Sequence, residues 1–264
     1  MSNMEDLIIS VNGFVENHPL NQVEGVAIKI FDSPIIGIAN AGDPLFDQLK
    51  EETVSGPHHM TPKEWFPEAK TVISYFLPFT NEVRKSNGVG SEYPSYEWLY
   101  GRIEGERFNR EVMKFIAEKV IEMGGCALIP AEDSRISSIN NRSNWSERHI
   151  AYIAGIGTFG LSKSLITEKG SAGRVGSVIT NLSYQTTDRT YQEIYEYCNH
   201  CGACIHRCPV SAINQEGKKH EPCDAFLSLT KEKFAPRYGC GKCQTAVPCE
   251  GRAPGKKGAE IGYL

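Results

Sequence analysis

The feature that most constrains this chain is a set of cysteines near its C-terminal end. Cys198, Cys201, Cys204 and Cys208-Pro209 spell CxxCxxCxxxCP, and Cys223, Cys240, Cys243 and Cys249 follow. Eight of the nine cysteines in 264 residues therefore fall between positions 198 and 249, with only Cys126 outside. Thiolates at two- and three-residue intervals on a tight loop converge on one soft, sulfur-loving centre. The proline after the fourth cysteine closes that loop as a short helix begins.

A structural zinc site is the plain alternative, since zinc suits CxxC pairs. Eight cysteines in this order divide poorly into two closed tetrahedral sites, whereas CxxCxxCxxxCP is the ligand run of bacterial two-cluster ferredoxins. There the fourth cysteine of a run ligates the other cluster. On that pattern Cys198, Cys201, Cys204 and Cys249 hold one [4Fe-4S] centre, and Cys208, Cys223, Cys240 and Cys243 hold a second. The crossover binds the two halves into one unit. His200 and His206, between the ligands, read as neighbours or surface groups. Cys126 lies in a strand-like apolar setting and reads as a core thiol.

Hydrophobic content of 40% and charged content of 23% are those of an ordinary globular chain. A net charge of -4 lacks the basic footprint that nucleic-acid binders usually carry. Met1 to Ser10 has two acids and no basic stretch ahead of its apolar residues, so no signal peptide is read there. No apolar run approaches the roughly 20 residues that span a bilayer. The expected setting is cytoplasmic, where clustered cysteines mean metal or catalysis rather than disulfides.

Upstream, residues 5 to 17 place Leu7, Ile8, Val11, Phe14 and Val15 on one helical face. Val26 to Phe31 and Pro34 to Ala39 read as strands across the turn Asp32-Ser33, and Pro44 to Lys50 as a short helix. Val72 to Phe79 reads as a buried strand, and Asn81 to Pro94, rich in Gly, Ser, Asn and Pro, as a loop. The longest helical pattern runs from Ser95 to Met123 and stops at Gly124-Gly125, before a short strand at Cys126 to Ile129. This alternation predicts a layered α/β (α+β) domain over residues 1–185, followed by a small ferredoxin-like domain over residues 186–264.

Within the first of these lies SNWSERHIAYIAGIGTFGLSKSLITEKGSAGRVGSVITN, residues 143–181. Gly155, Gly157 and Gly160 satisfy GxGxxG, but a dinucleotide fingerprint follows a strand and opens a helix. Here the order is reversed: Trp145, His149, Tyr152 and Ile153 have helical spacing before the glycines, while Leu165 to Thr167 and Val175 to Thr180 look like strands after them. The plain reading is a glycine-terminated helix entering a strand; the sharper one is backbone approaching a large flat ligand. Glu147 and Arg148 read as an ion pair on a solvated helix face. Tyr152, one turn beyond Arg148, alternatively reads as a phenolic proton donor whose pKa the cation lowers. His58-His59 reads as an exposed pair without a third partner.

WSERHIAYIAGIGTFG, the following GSVITNL, the cluster segment ending YGCGKCQTAVPCE and, upstream, MTPKEWFPEAKTVISYFLPF resemble the epoxyqueuosine reductase family, cobalamin-dependent iron-sulfur enzymes related to reductive dehalogenases. The resemblance covers roughly residues 25 to 252. It implies a corrinoid-binding domain of nitroreductase-like fold, a ferredoxin-like domain with two [4Fe-4S] clusters, and reduction at a corrinoid fed by those clusters. On the resemblance, Trp145, Arg148, Gly155, Gly157, Thr158, Phe159, Gly160 and Ser177 are the candidate corrinoid contacts. The chain has no DxHxxG motif, so the expected cobalamin takes no histidine of that kind from the protein.

Two departures from the family stand out. Its catalytic aspartate falls on Asn141, six residues before Glu147, and an amide is no general acid; Asp133 and Tyr152 are the substitutes the sequence offers. The chain also reads as a short form without the helical-repeat tail that helps those enzymes hold tRNA, with only Arg252, Lys256 and Lys257 as a small basic group. The expected function is thus a corrinoid-dependent reductase of a small-molecule substrate rather than tRNA, fed by a low-potential donor such as ferredoxin or flavodoxin. Epoxyqueuosine reduction on tRNA and a non-catalytic electron-transfer module are the alternatives.

Overall fold

A computed structural model describes residues 2–256, so Lys257 lies outside the described residues. The elements run α1 (Ser2–Asn17), β1 (Ile35–Asn40), α2 (Leu45–Gln48), α3 (Pro62–Trp65), β2 (Thr71–Pro78), α4 (Asn81–Gly88), α5 (Tyr96–Glu122) and β3 (Ala127–Leu128). Next come a hairpin of β4 (Ser138–Ile139) and β5 (Arg142–Ser143), then α6 (Glu147–Ile153), a ribbon of β6 (Gly157–Phe159) and β7 (Leu165–Thr167), and β8 (Gly173–Thr180). The cysteine segment carries α7 (Ala203–Arg207), the ribbon β9 (Ile213–Asn214) and β10 (Gly217–Lys218), and α8 (His220–Phe234).

The upstream half is built around β2. Every residue of TVISYFLP is buried, which requires a layer on each face of its sheet. Side chains alternate along a strand, and β2 divides them accordingly. Ile73, Tyr75 and Leu77 join Leu7, Val11 and Val15 of α1 and Phe108, Val112 and Ile116 of α5 in one core. Val72 and Phe76 join Phe46, Trp65, Trp145 and Ile150 in the other. The sheet has the order β1-β2-β8-β3 with every pairing antiparallel. In the β2–β8 register Ser74 lies opposite Ser177, which places hydroxyls within the face that packs on α6.

Several expectations change. Residues 26–31 form no strand; Lys29 and Phe31 make only isolated bridges, to Gln22 and Phe79. Residues 81–88 are helical because Thr80 caps them, its hydroxyl accepting from the Val83 N–H at 3.4 Å, and because Val83 and Asn87 are buried. A further short helix, α3, starts at a capping box between Thr61 and Glu64. Cys126 is exposed rather than a core thiol, since it precedes an edge strand of two residues. The short helix of the cysteine run, α7, ends before Pro209 instead of beginning there.

The β4–β5 hairpin turns on two residues, Asn140 and Asn141, with φ of 51° and 62°. Two-residue hairpin turns of this hand need left-handed backbone at both positions, which asparagine tolerates. No helix among the described residues is long and apolar enough to cross a membrane.

Phe108 is fully buried and stacks at 6.2 Å on Phe14 and at 6.0 Å on Phe31. Truncation of Phe108 to alanine is expected to cost about 3–5 kcal/mol and to lower the melting temperature by on the order of 10 °C in anaerobic thermal unfolding. A shift within about 2 °C would contradict this packing.

Candidate metal and cofactor site

The eight clustered thiols sort into two quartets. Cys198, Cys201, Cys204 and Cys249 line one small cavity with Gly160 and Ile166. Burial pushes the Cys204 thiol up, and Cys198 and Cys201 add to it. Burial also pushes Cys249 up to about 11, opposed by the Ser171 hydroxyl and reinforced by Cys198, Cys204 and Cys201. Cys208, Cys223, Cys240 and Cys243 line a second, larger cavity. Cys243 is pushed up to about 12 by burial, with Lys218 opposing and Cys240, Cys223 and Cys208 adding.

Closely grouped thiols, half-buried except for the exposed Cys201, repel one another's negative charge and surrender their protons most readily to a strongly cationic, sulfur-loving centre, so each quartet fits an iron-sulfur group chemically. Among the described residues no three His, Cys, Asp or Glu donors converge on a point suited to a single metal ion. Zinc requires such convergence, at about 2.3 Å from each sulfur, whereas a cubane seats each thiolate on a different iron.

The loops that carry the second quartet are anchored to the end of α4. Lys242 is fully buried, and its ammonium donates to the carbonyls of Asn87 at 2.8 Å, Val89 at 3.1 Å and Gly90 at 3.4 Å. Arg207 donates to the carbonyls of Gly90 at 2.9 Å and Thr245 at 3.2 Å. The Asn87 amide donates to the Cys240 carbonyl at 3.1 Å. These bonds press Cys240 and Cys243 against the α/β half.

The larger cavity, about 840 Å³, lies at that junction. Its walls come from the second quartet, the hairpin tip, the start of α6, the loop at residues 162–164, and facing residues of α5 and β8. Glu147 lines it, half-buried by surface but enclosed by protein. The Ser177 hydroxyl donates to the Glu147 carboxylate at 2.6 Å and accepts from the Trp145 indole N–H at 2.9 Å. The second carboxyl oxygen, Oε1, is buried with no partner among the described residues. Burial pushes the Glu147 pKa up to about 8, with Ser177 opposing, Glu106 adding and Trp145 opposing. At neutral pH it is therefore a carboxylic acid.

Two histidines support this corner. Burial, reinforced by His149, pushes His59 down to about 4, and its neutral ring takes the Ser146 N–H on Nε2 at 3.3 Å. His149 is likewise pushed down to about 4 by burial and then by Arg148; its Nδ1 lies 2.7 Å from the Ser146 hydroxyl. His58-His59 is thus not an exposed pair: His59 is buried, and His58 lies 2.9 Å from the Arg142 carbonyl.

Of the residues singled out in the sequence, Asn141, Trp145, Arg148 and Phe159 line the large cavity, and Ser177 stands behind Trp145 and Glu147. Gly155, Gly157, Thr158 and Gly160 do not, and packing accounts for them. Gly155 has φ of 81° just after α6, and a Cβ on Gly157 would lie 2.1 Å from the Ile166 carbonyl oxygen. A Cβ on Gly160 would meet Ile166, 3.8 Å from the Cys198 sulfur. The Thr158 hydroxyl accepts from the Tyr197 N–H at 2.8 Å, so this segment holds the approach to Cys198.

Glu147 and Arg148 form no ion pair with each other; Arg148 donates to the Lys163 carbonyl at 2.5 Å. Tyr152 packs 5.1 Å from Tyr191, and its pKa is raised by burial rather than lowered by Arg148. Asp133 is locked to Arg135 at 2.8 Å and held down at about 2 by that hydrogen bond, which makes it a poor acid. The Asn141 amide donates to Asp224 at 2.7 Å. His200 and His206 are exposed. Glu147 is the group the sequence hid: set among Ser146, Arg148 and His149 at the head of α6, it reads as part of a solvated polar face.

A 4Fe-4S binding domain model matches residues 191–214, which include the first four cysteines of the run. Epoxyqueuosine reductase from Bacillus cereus is 27% identical over 198 residues, 71% of this chain and 50% of that one. That from Bacillus anthracis is 35% identical over 127 residues, 44% of this chain and 32% of that one. The chain is a distant homologue of the epoxyqueuosine reductase family. It spans about half the length of the Bacillus cereus relative, or less for that of Bacillus anthracis. In fold it is similar to epoxyqueuosine reductase from Streptococcus thermophilus, with a TM-score of 0.57 at 17% identity, covering 93% of this chain and 66% of that one. A catabolic reductive dehalogenase in complex with 3-bromo-4-hydroxybenzoic acid matches with a TM-score of 0.55 at 14% identity, covering 95% and 37%. The homologue thus combines a 4Fe-4S binding segment with an α/β fold shared by both groups of reductases.

Glu147 keeps its proton on folding from its ordinary value of 4.5 up to about 8, whereas the unfolded chain releases it near 4.5. Between those values the folded state binds more protons, so its contribution to stability falls as pH rises. Glu147→Gln removes this dependence. Relative to the parent, the variant is expected to gain in melting temperature between pH about 5 and about 9; parallel curves would show that Glu147 ionises normally.

Proposed function

We propose that the chain is an iron-sulfur reductase with two [4Fe-4S] clusters, one per cysteine quartet, and a corrinoid held in the large cavity. The observation that carries this reading is the shared wall: Cys208, Cys223, Cys240 and Cys243 line the same cavity as Trp145, Arg148 and Phe159. When bound, the clusters would relay single electrons and the corrinoid would supply a strongly reducing metal. The cavity is within the size range of cofactor sites, and its aromatic and cationic walls suit a large flat ligand with polar substituents.

The chain's own residues supply orientation and a proton. Trp145 and Phe159 bound the cavity with aromatic surface, and the Trp145 N–H fixes Ser177, which fixes one oxygen of Glu147. The remaining oxygen, Oε1, is buried without a hydrogen-bond partner among the described residues, on a side chain that lines the cavity. Asn141 carries no acidic proton, Asp133 is an ionised carboxylate, and Tyr152 lies outside the cavity lining. Glu147 therefore takes the role of proton donor, with its raised pKa matched to neutral pH. Its neighbours on α5 and β8, Glu106 and Arg174, pair with each other at 3.3 Å and leave it unneutralised.

A small-molecule substrate fits the reading better than tRNA, because an amide stands where the resemblance places the acid of epoxyqueuosine reduction. A low-potential protein such as ferredoxin or flavodoxin would supply the electrons. Hydroxocobalamin added to anaerobically reconstituted protein is expected to bind with a shifted corrinoid spectrum and to be reduced by a low-potential donor through the protein. An unchanged spectrum at saturating protein would overturn the corrinoid assignment and favour a module that only transfers electrons. Restoration of queuosine in a strain lacking its own reductase would instead establish tRNA as a substrate.

A further inference from the structure

One end of the large cavity is strongly basic. Arg142, Arg148, Lys163, Lys218 and His220 all line it. The Lys163 ammonium lies 3.4 Å from Nε2 of His220, and the Lys163 carbonyl takes the guanidinium of Arg148. Arg142 donates to the Glu52 carbonyl at 2.6 Å. The groups are close enough to repel: Lys163 is held below the ordinary lysine range by burial and then by Lys218, Arg142 and Arg148. His220 is lowered by burial, then by Lys163 and Lys218, with Asp224 opposing.

This charge is only partly answered. Lys218 bonds the Cys223 sulfur and feels Cys243, and Arg148 also feels Cys243, so these two offset the second thiolate quartet. Among the described residues, none of Arg142, Arg148, Lys163 and Lys218 forms an ion pair with a carboxylate. Asp224, the acid that acts on His220, is taken by the Asn141 amide. Lys163 moreover holds a left-handed backbone with φ of 58°, a conformation lysine seldom adopts, which aims this short loop at the cavity wall. Like charges gathered on a cavity wall with no carboxylate paired to them repel one another unless something negative or well solvated sits between them.

We propose that this end of the cavity binds an oxyanion, a phosphate or carboxylate group, with Lys163 and Arg142 as its principal partners and His220 as a further donor. The anion is either the phosphodiester of a corrinoid's nucleotide loop or a charged group on the substrate. Both present the oxygens that ammonium and guanidinium groups recognise. Only the first source rests on the corrinoid reading above; the basic site itself stands without it.

The test titrates cluster-loaded protein with hydroxocobalamin, with cobinamide, which lacks the nucleotide phosphodiester, and with inorganic phosphate. Each titration is repeated on the double variant Lys163→Gln, Arg142→Gln, whose iron content and cluster absorbance check that it is folded. A corrinoid phosphodiester at the site predicts that cobalamin binds at least about tenfold tighter than cobinamide, and that the double variant abolishes this preference. A substrate anion at the site predicts that the two corrinoids bind alike. Inorganic phosphate then binds calorimetrically with or without cobalamin, and the double variant weakens it about tenfold or more. If no corrinoid binds at all, the phosphate titration still decides the basic site while the corrinoid reading falls alone. Absence of phosphate binding together with equal corrinoid affinities, or a phosphate affinity or a preference for cobalamin over cobinamide that the double variant leaves unchanged, overturns the proposal.

Discussion

The site depends on one buried cation. Lys242 has no surface exposure, and an ammonium taken from water costs several kcal/mol unless its protons are bonded. Three carbonyls at the end of α4 supply those bonds, and Arg207 repeats the device beside it. The clasp ties the loop bearing Cys240 and Cys243 to the α/β half, and the large cavity exists because that loop forms one of its walls. Further ties support the clasp: Arg237 pairs with Glu104 at 2.9 Å, and the Gln244 amide donates to the Ser171 carbonyl at 2.6 Å. A helix with few buried residues of its own, α4, thus serves mainly as the surface on which the cysteine segment docks.

Around that junction the electrostatics are divided. Glu147 is kept neutral by burial, His59 and His149 are kept neutral by burial and by neighbouring groups, Arg148 among them for His149, and the basic residues line the same cavity. A neutral carboxyl thus shares a cavity wall with cations that the second thiolate quartet offsets only in part. The Ser74–Ser177 pair in the β2–β8 register makes this possible, because a hydroxyl in an otherwise apolar sheet face is what holds the Glu147 carboxyl in place.

Much of the framework could be read from the sequence, for physical reasons. β2 is apolar at nearly every position because both faces of the sheet are covered, and α5 is long and periodic because one side packs on that sheet. The order of the cysteines reflects tight loops, which are local. What stayed hidden is what distant segments decide. The composition of residues 81–88 suggests a loop, but the cap at Thr80 and the docking of Asn87 make a helix. Glu147 sits at the head of an amphipathic helix, and spacing alone does not say whether that end meets solvent or a cavity. The glycines of residues 155–160 resemble a ligand cradle in sequence, yet Gly157 is required by the Ile166 carbonyl beside it. The same limit hid the exposure of Cys126, which depends on which strand of the sheet lies at the edge.

The central claim is that the second cysteine quartet holds a cluster that shares a wall with the corrinoid site. It is tested most directly by low-temperature electron paramagnetic resonance of reduced, reconstituted protein loaded with cob(II)alamin. The account predicts that the cobalt signal is broadened by magnetic coupling to a reduced cluster, and that Cys208→Ser removes the broadening while Cys249→Ser leaves it. A cobalt signal unaffected by cluster reduction, or broadening that only Cys249→Ser removes, would contradict it.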